Sequence, residues 1–167
     1  MKTIICEKII RIIKNRKRLE RDLGVKITNS GKEVFIEGDP ESEFISEKVI
    51  AALGMGFPYS VVLLIKNESF DFFVLHIKDY TSKRDMERIR ARIIGKGGKT
   101  LKVLAHLTDC YFEILGNSIG IVGSSEKIEN AQRAIVLIIR GSKHSNIYNF
   151  LEKHRYQEPI DLGLKKP

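Results

Sequence analysis

Apolar and polar positions along the chain follow one pattern twice, at a constant offset of 85 residues. In the second copy, the apolar runs 110–112 and 119–121 flank a polar turn, and a helical stretch then ends at Gly141. The first copy has apolar runs at 25–27 and 34–36, and its helical stretch ends at Gly56. Two repeats are too few for a solenoid, so each copy is predicted to bury its own helices against its own sheet.

The second copy predicts a complete order of elements. The apolar run 72–78 is typical of a strand, and two stretches of helical period follow it, separated by the glycines of 95–98. Two strand-like runs then flank the hairpin signal at 116–118, and a helix runs from Ser125 to Gly141. The order is βααββα. The predicted fold class is therefore α+β, with two tandem units that each have a three-stranded sheet backed by three helices.

Domain boundaries follow from the repeat. The opening strand of the first copy must lie within residues 1–7, and residues 57–67 finish that unit and cross to the second. We expect a first domain at 1–68, a second at 69–158 that includes a last helix at 146–154, and a flexible tail at 159–167.

Composition narrows the class of protein. The chain has 167 residues, of which 43% are apolar and 30% charged, enough for a packed core. Its two cysteines, Cys6 and Cys110, lie in separate parts of the chain and predict neither a disulfide framework nor a four-ligand zinc cluster, which fits a reducing, intracellular compartment. No apolar run approaches the roughly 20 residues that span a bilayer, and the acidic Glu7 comes too early for a signal peptide. We expect a soluble cytoplasmic protein without a membrane partner.

Positive charge is concentrated in the second copy. The net charge is +8, of which +1 lies in residues 1–80 and +7 in residues 81–167. Twenty residues hold eight cations against Asp85 and Glu87: Lys83, Arg84, Arg88, Arg90, Arg92, Lys96, Lys99 and Lys102. A cluster of this kind indicates an anionic partner.

The glycines of Gly95-Lys96-Gly97-Gly98 connect two predicted helices within this cationic segment. Glycines have no Cβ, so a phosphodiester backbone can approach their main-chain amides, helped by the dipole of the second helix and by Lys96 and Lys99. A plain interhelical turn is the simpler alternative, but it needs about one glycine rather than three. A nucleotide-binding P-loop matches only Gly98-Lys99-Thr100, because Ile93 occupies the position of its first glycine and a helix leads into the turn.

The segment Ile93-Ile94-Gly95-Lys96-Gly97-Gly98-Lys99-x-Leu101, within the βααββα order, resembles a type I KH domain. The GXXG loop of such a domain grips about four single-stranded nucleotides. The wider pattern is similar to the archaeal partner-of-Nob family over about 9–154, through the segments 54–57, 88–100 and 144–152.

This resemblance implies a ribosome assembly factor of the small subunit that binds pre-rRNA near the 3′ end of 16S rRNA. It also implies two protein partners, the Nob endonuclease and the alpha subunit of initiation factor two.

The candidate RNA-binding residues form three groups. The first is the loop itself with the following lysine. The second is the set of flanking cations, in which Arg84, Arg88 and Arg92 are predicted to share one helix face that could equally be merely solvated. The third is a groove between the turn, its flanking helices and the middle strand. Together they are Gly95, Lys96, Gly97, Gly98 and Lys99, then Arg84, Arg88, Arg90, Arg92 and Lys102, then Ile94, Leu101, Phe112 and Ile114.

The first copy has no glycine where the loop should be. At constant offset Ile10 to Ile13 fall there, and a slide of four residues puts Lys14 to Lys17 there instead. Neither placement restores a clamp. We expect a structural or protein-docking role for this unit, although Lys14, Arg16, Lys17 and Arg18 could touch RNA from outside.

The sequence favours a protein that is not an enzyme and has no cofactor. The four histidines show no metal-ligand spacing with the cysteines, and Cys110 opens a predicted strand, where a buried and inert thiol is usual. The pairs Asp85 with Glu87 and Asp109 with Glu113 resemble a helix cap and surface acids. A competing hypothesis is an adaptor that mainly binds protein, with RNA binding secondary.

Overall fold

A computed structural model describes residues 1–155 as two mixed units joined in tandem. The predicted flexible tail and the last three residues of the predicted second domain lie outside the described residues, so these boundaries stay predictions. The first unit contains β1 (Lys2–Ile5), α1 (Ile9–Leu23), β2 (Lys26–Ser30), β3 (Glu33–Glu37), α2 (Pro40–Met55) and α3 (Tyr59–Val62). The second contains β4 (Phe70–His76), α4 (Met86–Ile94), α5 (Lys99–Thr108), β5 (Tyr111–Leu115), β6 (Ser118–Ser124), α6 (Ser125–Ile139) and α7 (His144–Lys153).

Each unit has one antiparallel sheet of three strands, ordered β1-β3-β2 and β4-β6-β5. The predicted α+β class of two tandem units is confirmed. The second unit has the predicted order βααββα, followed by α7, whose Ile147 and Leu151 are buried in its core.

The helix order of the first unit differs from the prediction. A single continuous helix, α1, replaces the two helices expected between the first two strands, so the order is βαββαα. The buried Ile12 and Leu19 are seven positions apart, close to two turns of one helix, so both face the same core. The equivalent Ile93 and Leu104, which are also buried, are eleven positions apart. The first unit is therefore four residues shorter at this point.

Two arginines establish this equivalence. Each projects from the first helix of its unit and donates two hydrogen bonds to carbonyl oxygens around the end of the helix that follows the sheet. The bonds run from Arg11 to Leu53 O (2.8 Å) and Phe57 O (2.7 Å), and from Arg92 to Ile138 O (2.8 Å) and Ser142 O (2.7 Å). The acceptors are 85 residues apart, whereas the arginines are 81 apart. The two units thus align at an offset of 81 residues before the loop and of 85 after it, and the first unit lacks four residues where the second has Gly95–Gly98.

The first unit covers one face of the second sheet. On β6, Ile119 and Ile121 point into the second unit's own core, whereas Val122 belongs to the core of the first. Gly120 shares the face of Val122, and a Cβ there would lie 2.8 Å from Phe57 Cε2 and 2.9 Å from Met55 Sδ. The absence of a side chain at Gly120 therefore lets the end of α2 and the residues after it pack directly on β6.

Replacing Gly120 tests this packing. Gly120→Ala is expected to lower the free energy of unfolding by about 1–3 kcal/mol, because the added methyl overlaps Phe57 and Met55. In a Met55→Ala background the same substitution should cost less, since one of the two overlapping groups is absent. Denaturant unfolding of the single and double variants measures both. Additive effects of the two substitutions would contradict the contact.

Candidate nucleic-acid interface

The four residues Gly95–Gly98 separate α4 from α5. Gly95, Gly97 and Gly98 have φ of 73°, 62° and 77°, values that residues with a side chain rarely adopt. The Gly95 N–H donates to Ala91 O at 2.9 Å, and the Gly98 N–H donates to Gly95 O at 3.1 Å. These bonds and dihedrals hold the loop in a tight, defined turn.

The three glycines serve different needs. A Cβ at Gly95 would lie 2.7 Å from the backbone nitrogen of Thr100, whose side chain is buried, so this position is closed by packing. A Cβ at Gly97 or at Gly98 would meet nothing within 4 Å. The main chain of Gly97 and Gly98 is therefore open to solvent and to a ligand.

The N-terminus of α5, which directly follows this open loop, adds a positive electrostatic potential there. Gly98 is the N-cap of α5 and has no side chain to bond the amides of the first turn. These amides and the helix dipole make the N-terminus of a helix attractive to anions. Lys96 and Lys99 flank it with exposed side chains, and Lys102 is exposed one turn into the helix.

The predicted face of three arginines is only partly formed. Because α4 begins at Met86, Arg84 lies on the 3₁₀ turn Lys83–Asp85 before the helix, where it is exposed. Arg88 is exposed on α4, with Nη2 3.5 Å from Asp85 Oδ1. Arg90 is half-buried, and its Nε is buried without a hydrogen-bond partner among the described residues.

Arg92 differs from the expectation of a phosphate contact. It is half-buried, and two of its guanidinium nitrogens donate to the carbonyls of Ile138 and Ser142. The backbone carbonyl of Arg92 lies 3.1 Å from His144 Nε2. These contacts attach the last turn of α4, three residues before Gly95, to the end of α6 and the start of α7. The sequence offered one sign of this role, Arg11 in the first copy, which only the four-residue slide aligns with Arg92.

The four predicted groove residues, Ile94, Leu101, Phe112 and Ile114, are all half-buried. On β5, Phe112 is opposite Ile121 and Ile114 is opposite Ile119, so both side chains lie on the helix-covered face of the sheet. Although β5 is the second strand of its unit in the chain, it lies at the sheet edge and β6 is in the middle. In the part of the chain that the structure describes, no strand pairs with the outer side of β5, which lies beside α5 and contacts it.

The ionisable groups near the strands do not form a reactive cluster. Burial raises the pKa of the Cys110 thiol to about 11, which keeps it protonated at neutral pH. Loss of solvent also raises the pKa of Glu113, which lies on the face of β5 toward the first unit, while Lys8 and Arg11 act in the opposite direction. In the part of the chain that the structure describes, no group of three or more His, Cys, Asp or Glu residues could hold a metal ion.

Within residues 1–155 no helix is long and apolar enough to span a bilayer.

The first unit presents a different surface where the loop is deleted. The predicted cations Lys14, Arg16, Lys17 and Arg18 are exposed on the continuous α1, and the guanidinium of Arg18 lies 3.8 Å from the centre of the Tyr59 ring. A regular helix bonds its own amides along its length, so α1 offers no main-chain clamp at this position.

Comparison with known proteins identifies the second unit. The family model for the second KH domain of PNO1, described as a eukaryotic-type KH domain (KH-domain type I), matches residues 71–156. The chain belongs to the PNO1 family of KH-domain proteins. The resemblance to the partner-of-Nob family inferred from the sequence is confirmed.

Relatives and a solved structure extend this match over most of the chain. A KH domain-containing protein of Methanocaldococcus jannaschii is 31% identical over 84% of this chain and 65% of its own length. The pre-rRNA-processing protein PNO1 of Chaetomium thermophilum is 28% identical over 61% of this chain and 41% of its own. Dim2p of Pyrococcus horikoshii, solved in a complex with a/eIF2alpha and rRNA, superposes with a TM-score of 0.83 at 26% identity, covering 92% of this chain and 93% of that one.

The PNO1 relatives are longer than the match. The chain spans between 41% and 65% of the length of the curated relatives that it matches.

Proposed function

We propose that the second unit binds a single-stranded segment of ribosomal RNA through Gly95–Gly98 during assembly of the small ribosomal subunit. The observation that carries this proposal is the open main chain of Gly97 and Gly98, where a Cβ would meet no atom within 4 Å. A phosphate can reach the loop amides only where no side chain intervenes.

Electrostatics favour the same place. Lys96, Lys99 and Lys102 extend from the loop and the first turn of α5 with exposed side chains, and the helix dipole adds partial positive charge there. Arg84 and Arg88 extend the positive surface before and along α4. These cations would hold the phosphates and set the register of the strand, without reading its sequence.

We assign the contacts with RNA bases to the half-buried apolar side chains near the loop. Leu101, Phe112 and Ile114 each pack on the second unit's core and keep part of their surface exposed. Ile94 precedes the loop and is also half-buried. Single-stranded RNA is bound through unstacked bases that lie on such surfaces, and the free edge of β5 supplies main-chain donors and acceptors nearby.

The relatives support the choice of RNA and partners. A relative is named a pre-rRNA-processing protein, and the Pyrococcus protein was solved with rRNA and a/eIF2alpha. We infer that this chain binds 16S rRNA or its precursor near the 3′ end and associates with the alpha subunit of initiation factor two. A Nob-type endonuclease is the further partner that the family resemblance implies.

Arg92 acts in this proposal as a positioning residue. Its bonds to Ile138 and Ser142 hold the end of α4, and hence the first residue of the loop, in place. Arg11 makes the same pair of bonds in a unit without a loop, which supports a structural role for this arginine position.

A protein-docking function is the second candidate, and the first unit provides its observation. Ile10 and Ile13 are 63% and 48% exposed on α1, beside the cations of that helix. An adaptor that binds chiefly through this unit would keep its activity when the loop of the second unit is altered.

Charge placed on the loop tests the clamp. Gly97→Asp with Gly98→Asp is expected to weaken binding of a short single-stranded rRNA fragment about 30-fold, since two carboxylates about 4 Å from phosphates each cost about 1 kcal/mol in water. Gly97→Asn with Gly98→Asn is the matched control, because Asn has the same size and tolerates positive φ comparably. Fluorescence anisotropy measures both. Equal affinity of the Asp and Asn variants would reject the clamp.

Salt dependence tests the lysines. With about four phosphates neutralised, log K should fall with log salt at a slope near −3, and Lys96→Gln or Lys99→Gln should each make the slope shallower by about 0.7. Lys153→Gln, an exposed lysine at the end of α7, should leave it unchanged. Titrations at four or more salt concentrations give the slopes, and identical slopes for all variants would place the phosphates elsewhere.

Variants of Arg92 test whether this residue positions the loop or contacts a phosphate. Arg92→Lys and Arg92→Met should weaken RNA binding to a similar extent with an unchanged salt slope, because neither side chain can bridge two carbonyls. An arginine that touched phosphate would behave differently: lysine would retain most of the affinity, and methionine would reduce the slope by about 0.7. Thermal unfolding of both variants checks that the fold survives.

A further inference from the structure

A second open groove lies along β4, at the sheet edge opposite β5. It has a volume of about 490 Å³ and an apolar lining from β4, the segment after it, α6 and α7. The apolar lining residues are Phe73, Leu75, Tyr80, Val136, Leu137 and Phe150. Phe73 and Tyr80 are 39% and 43% exposed, although large aromatic side chains usually bury more. We call this surface the β4 groove.

Two arginines, Arg133 on α6 and Arg140 at its C-terminal end, also line the β4 groove, and none of the described residues that line it is a carboxylate. Both are exposed, and neither forms an ion pair with another described residue. They are seven residues apart, so they project from one side of α6 at about 10 Å separation. The groove therefore complements an apolar segment that carries two or more carboxylates.

The main chain of β4 is available beside the groove. Among the described residues β4 pairs only with β6, and the Phe72 N–H donates to Asp71 Oδ1 at 2.8 Å instead of to a strand. That N–H consequently points away from β6. Antiparallel ladders alternate, so Val74 presents its N–H and C=O on the same free side, between the groove residues Phe73 and Leu75.

We propose that the β4 groove binds an extended, acidic segment of a partner protein, which adds a strand to β4. Alternate apolar side chains of this segment would fill the space between β4 and α6, and its carboxylates would pair with Arg133 and Arg140. A strand edge facing a helix across an apolar groove is a recurrent geometry for peptide binding. RNA fits less well, because a phosphate backbone requires a longer track of cations than the two arginines of this groove. The site is separate from the RNA loop and does not depend on it.

The probe is a capped eight-residue peptide in which valine alternates with aspartate, titrated into the full chain labelled with ¹⁵N. The expected result is a set of chemical-shift changes confined to β4, α6 and Phe150. A peptide with four valines followed by four aspartates, and one that alternates valine with lysine, should bind at least fivefold more weakly. Comparable binding of either control would contradict the proposal, as would the absence of shifts at millimolar peptide.

Charge reversal supplies the matched variants. Arg133→Glu with Arg140→Glu should reduce the peptide affinity at least tenfold, whereas Lys14→Glu with Lys17→Glu, the same charge change on α1 of the other unit, should not. The Gly97→Asp with Gly98→Asp variant should bind the peptide normally, which separates this proposal from that of the RNA clamp. An equal loss of peptide affinity in both double variants would show that only the net charge of the protein matters, and it would overturn the proposal.

Three other occupants of the β4 groove, namely RNA, a strand of the same chain and a second copy of the chain, would give distinct results, and each result would overturn the proposal. Oligouridine that shifts the groove resonances while the peptide does not would assign the groove to RNA. Slow hydrogen exchange of the Val74 amide in the free protein would show that β4 is already paired. If that protection is lost on dilution, the occupant is a second copy of the chain.

Discussion

The bridge from one arginine to two carbonyl oxygens is the constraint on which both units depend. In each, the first helix is attached to the end of the helix that follows the sheet, by bonds of 2.7–2.8 Å that span more than forty residues of chain. A guanidinium suits this position because its planar donors reach two acceptors at once. The bridge places the last turn of the first helix, and in the second unit the loop that begins three residues later.

After the last turn of the first helix, the presence or absence of a four-residue loop distinguishes the two units. The second unit has them as a glycine loop with open main chain, and the first lacks them and continues as a helix. The deletion leaves the core intact, since Ile12 and Leu19 remain buried on one helix face. Loss of the loop and retention of the fold are thus compatible, and the first unit keeps a structural task in covering the second sheet around Gly120.

The spacing of apolar and polar residues predicts the elements that depend on neighbouring residues in the chain. The strands around the hairpin, the helix after Ser125 and the glycines of the loop each follow from spacing within a few turns of chain. The direction of Arg92 does not, because its acceptors are 46 and 50 residues away and an amphipathic pattern shows only that it lies off the buried face. The edge position of β5 was also beyond periodicity, since sheet order depends on pairing between distant strands. The single helix α1 was not predicted, because the repeat implied two helices there; it follows only from the burial of Ile12 and Leu19 on one helix face.

Among residues 1–155, no strand pairs with either edge of the second sheet. The middle of one face is covered by α4–α6 and that of the other by the first unit, so ligands can reach this sheet only along its edges. The edges differ in chemistry: β5 lies beside α5 and its cationic loop, whereas β4 lies beside an apolar groove with two arginines. Because the middle strand β6 separates them, a strand of RNA at one edge and a protein segment at the other would not compete for space. On the two proposals above, one small sheet would hold an RNA at one edge and a protein segment at the other.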